Sequence, residues 1–186
     1  MPSEPLFDLD SIDLSARQLD KAAIARLLPH RGDIAMLDAI IWHDDAFDRG
    51  VAVHHVREDA WWCSGHIPGM PIMPGVLMVE AGAQLASVLY YMRCARDWFA
   101  GFTHIDRTRF SGKVVPGDDL LILCQAVKFH ERRFITDIQG IVNGEIVFDG
   151  NITGMAFPKM GSARLSAINR SGASADSCVQ PVRSIE

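Results

Sequence analysis

The apolar residues change their spacing along this chain, and each change marks an element. Ala22, Ile24, Ala25, Leu27 and Leu28 follow Asp20, which is suited to cap a short amphipathic helix over Lys21 to Leu28 that Pro29 ends. Ala35 to Trp42 and Gly50 to Val56 are rich enough in apolar and β-branched residues to form two strands, joined by a polar turn at 43–48. A loop dense in Gly and Pro runs from Ser64 to Gly75. Val76 to about Trp98 is then apolar on nearly every side, with Gly82 its one interruption by Gly or Pro, which predicts a buried helix wrapped by other elements. Four strands follow: Thr103 to Phe110, Leu120 to His130, Phe134 to Val142 and Glu145 to Phe157. Asn143-Gly144 tolerates positive φ and marks a hairpin, and Val115-Pro-Gly-Asp118 marks a second tight turn.

This order gives an α+β architecture, an antiparallel sheet around a long central helix. The folded domain is expected over residues 20–158. Residues 1–19 read as an acidic, loosely patterned lead-in without the apolar spacing needed to join a core. Residues 159–186 turn to Ser, Ala, Arg, Asn and Gly, the composition of a disordered tail.

Length and charge narrow the class. At 186 residues the chain is one domain's worth, able to bury a core without metal or disulfide staples. A net charge of -5 argues against a general nucleic-acid binder. Cys63, Cys94, Cys124 and Cys178 lie tens of residues apart, so they read as reduced thiols of a cytosolic protein and not as a metal site. The N-terminus lacks the basic and apolar regions of a signal peptide, and the apolar run from Pro71 to Tyr91 is interrupted by Glu80 and Gln84. The expectation is a cytoplasmic protein without a membrane span.

The chemistry concentrates at the start of the buried helix. In Gly65-His-Ile-Pro-Gly-Met-Pro-Ile-Met-Pro-Gly75, three prolines fix φ and three glycines permit close backbone, so the loop is rigid. It carries His66 toward a helix N-terminus, whose N–H groups can polarise a carbonyl oxygen. An isolated histidine in such a turn could equally serve a local hydrogen bond. Glu80 changes the balance: burying a carboxylate in an apolar helix costs several kcal/mol unless it is paired or protonated, and desolvation favours the protonated form. Gln84 lies one turn on, placed to orient that carboxyl. The alternative role for Glu80 is a buried ion pair, but no basic residue lies within a helical turn of it. The remaining histidines form no metal site: His54 and His55 point to opposite faces of a strand, and His43-Asp44-Asp45 reads as a solvated turn.

The segment Gly65-His66-x-Pro68-Gly69-x-Pro71-x-x-Pro74-Gly75-Val-Leu-x-x-Glu80-Ala-x-Ala-Gln84 resembles the signature of the FabZ-type 3-hydroxyacyl-acyl-carrier-protein dehydratases. The resemblance extends to Leu27-Leu-Pro-His-Arg31, to Phe99-Ala-Gly-Phe-x-x-Ile-Asp-x-x-Arg109-Phe110 and to Lys113-Val-Val-Pro-Gly-Asp118, covering about residues 20 to 157. It implies a hotdog fold acting as a homodimer or a trimer of dimers. It implies removal of water from (3R)-hydroxyacyl thioesters on acyl carrier protein, in fatty-acid biosynthesis. It places the catalytic histidine on His66, the catalytic acid on Glu80 and the thioester-binding N–H on Gly75. Glu in place of Asp at the acid favours the dehydratase-only branch. No metal or organic cofactor is implied.

Two stretches depart from the family pattern. Gly32-Asp33 stands where an aromatic-proline pair is usual, and Trp61-Trp-Cys-Ser64 replaces a phenylalanine-rich approach to the histidine. Arg107, Arg109, Lys113, Arg132 and Arg133 are candidates to meet an acidic carrier protein, Arg109 foremost, although each could equally be a solvated strand end. A hotdog acyl-thioester hydrolase and a dehydratase-like module of polyketide or specialised lipid synthesis are the competing functions.

Overall fold

A computed structural model of the chain describes residues 4–94 and 98–158. Its elements run β1 (Leu19–Asp20), α1 (Lys21–Leu27), a 3-10 turn (Gly32–Ile34), β2 (Ala39–His43), β3 (Arg49–His55), α2 (Gly75–Arg93), β4 (Trp98–Phe110), β5 (Asp119–His130), β6 (Arg133–Val142) and β7 (Glu145–Pro158). The seven strands form one antiparallel sheet in the order β1-β2-β3-β5-β6-β7-β4. α2 packs against β3, β4, β5, β6 and β7, so the sheet wraps the long helix as expected. By length and hydropathy α2 could cross a membrane, yet most of it is buried inside this fold.

Local chemistry explains the elements that matter for the site. The Asp20 side chain accepts the Ala23 N–H at 2.7 Å and starts α1. Asn143 and Gly144 both adopt positive φ in the β6–β7 hairpin. At Gly82 a Cβ would lie 2.9 Å from Ile138 Cδ1, so the missing side chain lets the helix backbone settle onto β6.

The structure departs from the sequence reading in three places. The strand expected from Ala35 begins only at Ala39. Ahead of it, the Ile34 carbonyl and the Met36 N–H are hydrogen-bonded to the Gln84 side chain, so the backbone there is diverted from a strand ladder. The helix expected to reach Trp98 stops at Arg93, and Trp98 opens β4, pairing with Pro158. Aromatic and β-branched residues suit that stretch to a sheet, and Tyr91 Oη accepts the Ala100 N–H at 2.8 Å, holding the new strand beside the helix end.

The third difference lies at the N-terminus. Leu6, Phe7, Leu9 and Ile12 pack on the outer face of the sheet against Ile41, Val51, Val53, Leu123 and Ile141. The fully buried Gln139 accepts the Leu6 N–H at 3.1 Å through Oε1 and donates to the Glu4 carbonyl through Nε2 at 3.4 Å. The Arg49 guanidinium covers the rings of Phe7 and Trp42 at 5.7 and 5.6 Å. This stretch therefore joins a core despite lacking helical or strand periodicity, because an irregular strap can bury side chains at any spacing. The expected tail, 159–186, lies outside the described residues.

Among the described residues, no strand pairs with the outer edge of β4. β4 is 13 residues long, ends the strand order, and leaves Phe99, Phe102, Ile105 and Phe110 between 43% and 49% exposed.

Candidate active site

His66 rides on a loop built from successive tight turns. Its N–H donates to the Trp62 carbonyl at 2.9 Å, the Met70 N–H donates to the Ile67 carbonyl, and Met73 is tied to the Val114 carbonyl at 2.8 Å. Gly69 takes φ +79° inside this run, a conformation that a side chain would resist. The imidazole is exposed, and its Nδ1 lies 2.8 Å from the Ile72 carbonyl oxygen. A carbonyl only accepts, so the ring hydrogen sits on Nδ1 and Nε2 keeps a lone pair. The contact fixes the orientation of the ring, with Nε2 pointing away from Ile72.

The loop ends at Gly75, the first residue of α2. The preceding Pro74 offers no side-chain cap and its carbonyl accepts the Leu77 N–H at 2.9 Å, so among the described residues the Gly75 N–H is left for another acceptor. The Phe110 ring lies so close over Gly75 that a Cβ would stand 2.8 Å from it. Glu80 follows about 7.5 Å further along the helix axis.

The Glu80 carboxyl is oriented by a side chain with no freedom of its own. Gln84 is buried, and its Oε1 accepts the Met36 N–H at 3.0 Å. That fixes which end of the amide is oxygen. Its Nε2 then donates to the Ile34 carbonyl at 2.7 Å and to Glu80 Oε1 at 2.8 Å, which uses both amide hydrogens. Oε1 of Glu80 is therefore an acceptor, and any proton on the carboxyl rides on Oε2.

Two expectations about Glu80 are corrected. Its side chain is 20% exposed and not sealed in an apolar helix. It also has a basic neighbour, His30, whose Nε2 stands 3.3 Å from Oε1. Helical spacing from Glu80 does not reach His30, which arrives from the exit of α1. Its place in the matched Leu27-Leu-Pro-His-Arg31 segment was the available signal. Among the described residues, Glu80 meets Gln84 and His30 through its carboxyl, and His66 meets Ile72 through its ring; the two catalytic candidates form no hydrogen bond or ion pair with each other.

The basic residues named for carrier docking do not form one patch. Arg109 and Lys113 lie near the start of α2, beside Phe110 and Val114. Arg132 and Arg133 lie at the β5–β6 turn, where the Glu131 carbonyl receives the Tyr90 hydroxyl, about 22 Å along the helix from Gly75. Arg109 is already committed, meeting both Asp149 oxygens at 3.0 and 2.8 Å. The Arg132 guanidinium lies 5.7 Å from the Trp98 ring, while Arg107 takes φ 50° at a bulge in β4.

Behind Gln84 and His30 lies a cavity of about 400 Å³, which reaches neither His66 nor Glu80. Gly32, Asp33, Trp61 and Trp62 all line it. Both departures from the family pattern thus meet at one cavity, with Trp62 buried and Trp61 more than half exposed.

A sheet wrapped round one long helix, with a histidine loop entering the helix start and a carboxyl inside its second turn, defines a protein of the hotdog fold. Residues 28–151 match the FabA-like domain family, and the chain belongs to it. Among solved structures it is similar to the dehydratase heterocomplex ApeI:P from Xenorhabdus doucetiae, at 18% identity and TM-score 0.65, covering 82% of this chain and 99% of that one. It is also similar to a hypothetical thioesterase with coenzyme A from Streptococcus pneumoniae, at 12% identity and TM-score 0.51, over 64% and 84% of the two chains. A third likeness is to Cj0977, a sigma28-regulated virulence protein from Campylobacter jejuni, at 14% identity and TM-score 0.55, over 82% and 99%. At these identities the likenesses show the fold.

Proposed function

We propose that this chain is a FabZ-type dehydratase, converting (3R)-hydroxyacyl thioesters on acyl carrier protein to trans-2-enoyl thioesters in fatty-acid biosynthesis. His66 Nε2 removes a C2 proton, and the electron pair passes toward the thioester oxygen, held by the Gly75 N–H. As that pair returns to form the C2–C3 double bond, the C3–O bond breaks. The departing hydroxyl takes the Glu80 Oε2 proton and leaves as water. His66 ends protonated and Glu80 ionised, and exchange with solvent resets both. The observation that carries this reading is the fixed Gln84 amide, which commits Glu80 Oε1 to accepting and leaves Oε2 as the donor. A hydrolase would use the same carboxyl in its ionised form, as the base that activates water, so the two readings differ in the proton on Oε2.

The site is proposed to be shared between two copies of the chain. His66 and Glu80 of one chain do not pair, and the long apolar edge of β4 is the kind of surface that proteins cover. The proposed dimer would be two-fold and built on that edge, with the His66 loop of one chain facing the Glu80 of the other.

The decisive assay offers 3-hydroxybutyryl and longer 3-hydroxyacyl thioesters and follows enoyl formation beside free thiol release. Enoyl product is expected, with His66→Ala and Glu80→Gln each losing at least about 100-fold. Near-normal turnover by either variant removes that residue from the mechanism. Thiol release without enoyl product makes the chain a hydrolase.

A further inference from the structure

Glu80 Oε1 is approached from two sides. Gln84 Nε2 reaches it at 2.8 Å from within α2, and His30 Nε2 stands 3.3 Å away on the chain leaving α1. The other ring nitrogen of His30, Nδ1, is buried and has no hydrogen-bond partner among the described residues. A hydrogen on Nδ1 would be stranded there, so the ring hydrogen belongs on Nε2, facing the carboxyl. The backbone around His30 is clamped. The Arg31 guanidinium donates to the carbonyls of His30 and Leu28, both at 2.7 Å, and to that of Ala25 at 2.8 Å, fastening the segment to the end of α1. Pro29, just before it, fixes φ.

We propose that His30 is a positioning residue for the acid: its Nε2–H and the Gln84 amide hold Glu80 Oε1 between them, turning Oε2 and its proton toward the substrate. The inference rests on the dehydratase reading of Glu80. When Oε2 gives its proton to the departing hydroxyl, the charge left on the carboxylate is met at Oε1 by two N–H groups already in place. The present contact is long for N–H···O, and the proposal requires it to shorten when substrate fills the site.

The test compares His30→Ala and His30→Gln in the full-length chain. His30→Ala is expected to lower kcat about ten- to a hundredfold, the loss typical of groups that orient a reacting side chain, while KM stays within about twofold. Glutamine carries an amide N–H to the place of Nε2, so His30→Gln is expected to restore most of kcat. A packing role would not be rescued this way. Unchanged kcat in His30→Ala, or a His30→Gln no better than His30→Ala with both melting like the wild type, overturns the proposal. Should His30→Ala fail to fold, His30→Leu takes its place against His30→Gln. A melting-temperature cycle with Glu80→Ala reads the contact without turnover: the loss from changing His30 should shrink once Glu80 is gone. No coupling overturns the contact. Coupling in a chain that dehydrates nothing sinks the dehydratase reading and leaves the His30–Glu80 hold standing.

Discussion

Replacing Glu80 by glutamine exchanges one oxygen for an amide nitrogen and still leaves an acceptor for Gln84, so the fold should survive while the proton donor is lost. Thermal melting beside the assay checks this, with a melting point close to the wild type expected. Asp38 makes a separate prediction. Burial opposes its charge, but the His54 ring at 3.5 Å, Lys21 Nζ at 2.7 Å and the His55 N–H at 2.8 Å outweigh burial and hold its carboxyl well below the usual carboxylate range. A carboxyl depressed by folding stabilises above its unfolded value, about 3.9, and loses that contribution as pH falls through its folded value. Asp38→Asn should therefore melt below the wild type at pH 7, with the gap narrowing below about pH 4. A gap that is constant with pH would mean the Asp38 charge contributes nothing. The Glu80–Gln84 pair was readable from the sequence because it obeys helical spacing. Its backbone partners Ile34 and Met36 were not, since only the fold brings them to α2 from 50 and 48 residues away, and His30 was marked only by its place in the family segment.

At the scale of elements, Gly82 read only as an interruption in an apolar helix, and its reason became visible once β6 lay against it. Two methyl groups added there would run into Ile138, which already stands 2.9 Å from where a Cβ would be. Gly82→Val should cost about 1–3 kcal/mol by overpacking, read as a lowered midpoint in chemical denaturation. An unchanged midpoint would show that the helix can lift from the sheet at no cost. Element type was legible wherever the apolar spacing was regular, as in α2 and β5 to β7. Boundaries failed where side chains intervened: Gln84 takes the backbone groups that would have extended β2, and Tyr91 fastens a strand where the apolar run alone suggested more helix.

For the whole molecule, the shared site predicts complementation. Co-expressing His66→Ala and Glu80→Gln with different tags and isolating the doubly tagged dimer should recover about half the activity of a wild-type dimer, since two-fold symmetry leaves one of its two sites intact. A doubly tagged dimer that remains dimeric and inactive would mean His66 works with the Glu80 of its own chain. The N-terminal strap predicts a second effect at this scale. Removing residues 1–15 uncovers Ile41, Val51, Val53, Leu123 and Ile141, so the shortened chain should melt several degrees lower and bind more of a hydrophobic dye. Melting and dye binding equal to those of the full chain would show that the strap contributes nothing to stability.

That strap also has a timetable. Leu6 is made before its hydrogen-bond partner Gln139, which lies 133 residues later. At ordinary synthesis rates of about 5–20 residues per second, roughly seven to twenty-seven seconds separate the two on the ribosome. Through that interval Leu6, Phe7 and Leu9 have no finished sheet to settle on, and Leu123 and Ile141 have not all emerged. The strap is therefore made before the sheet that receives it and placed after it, and for those seconds the newborn chain presents these apolar side chains to whatever waits outside.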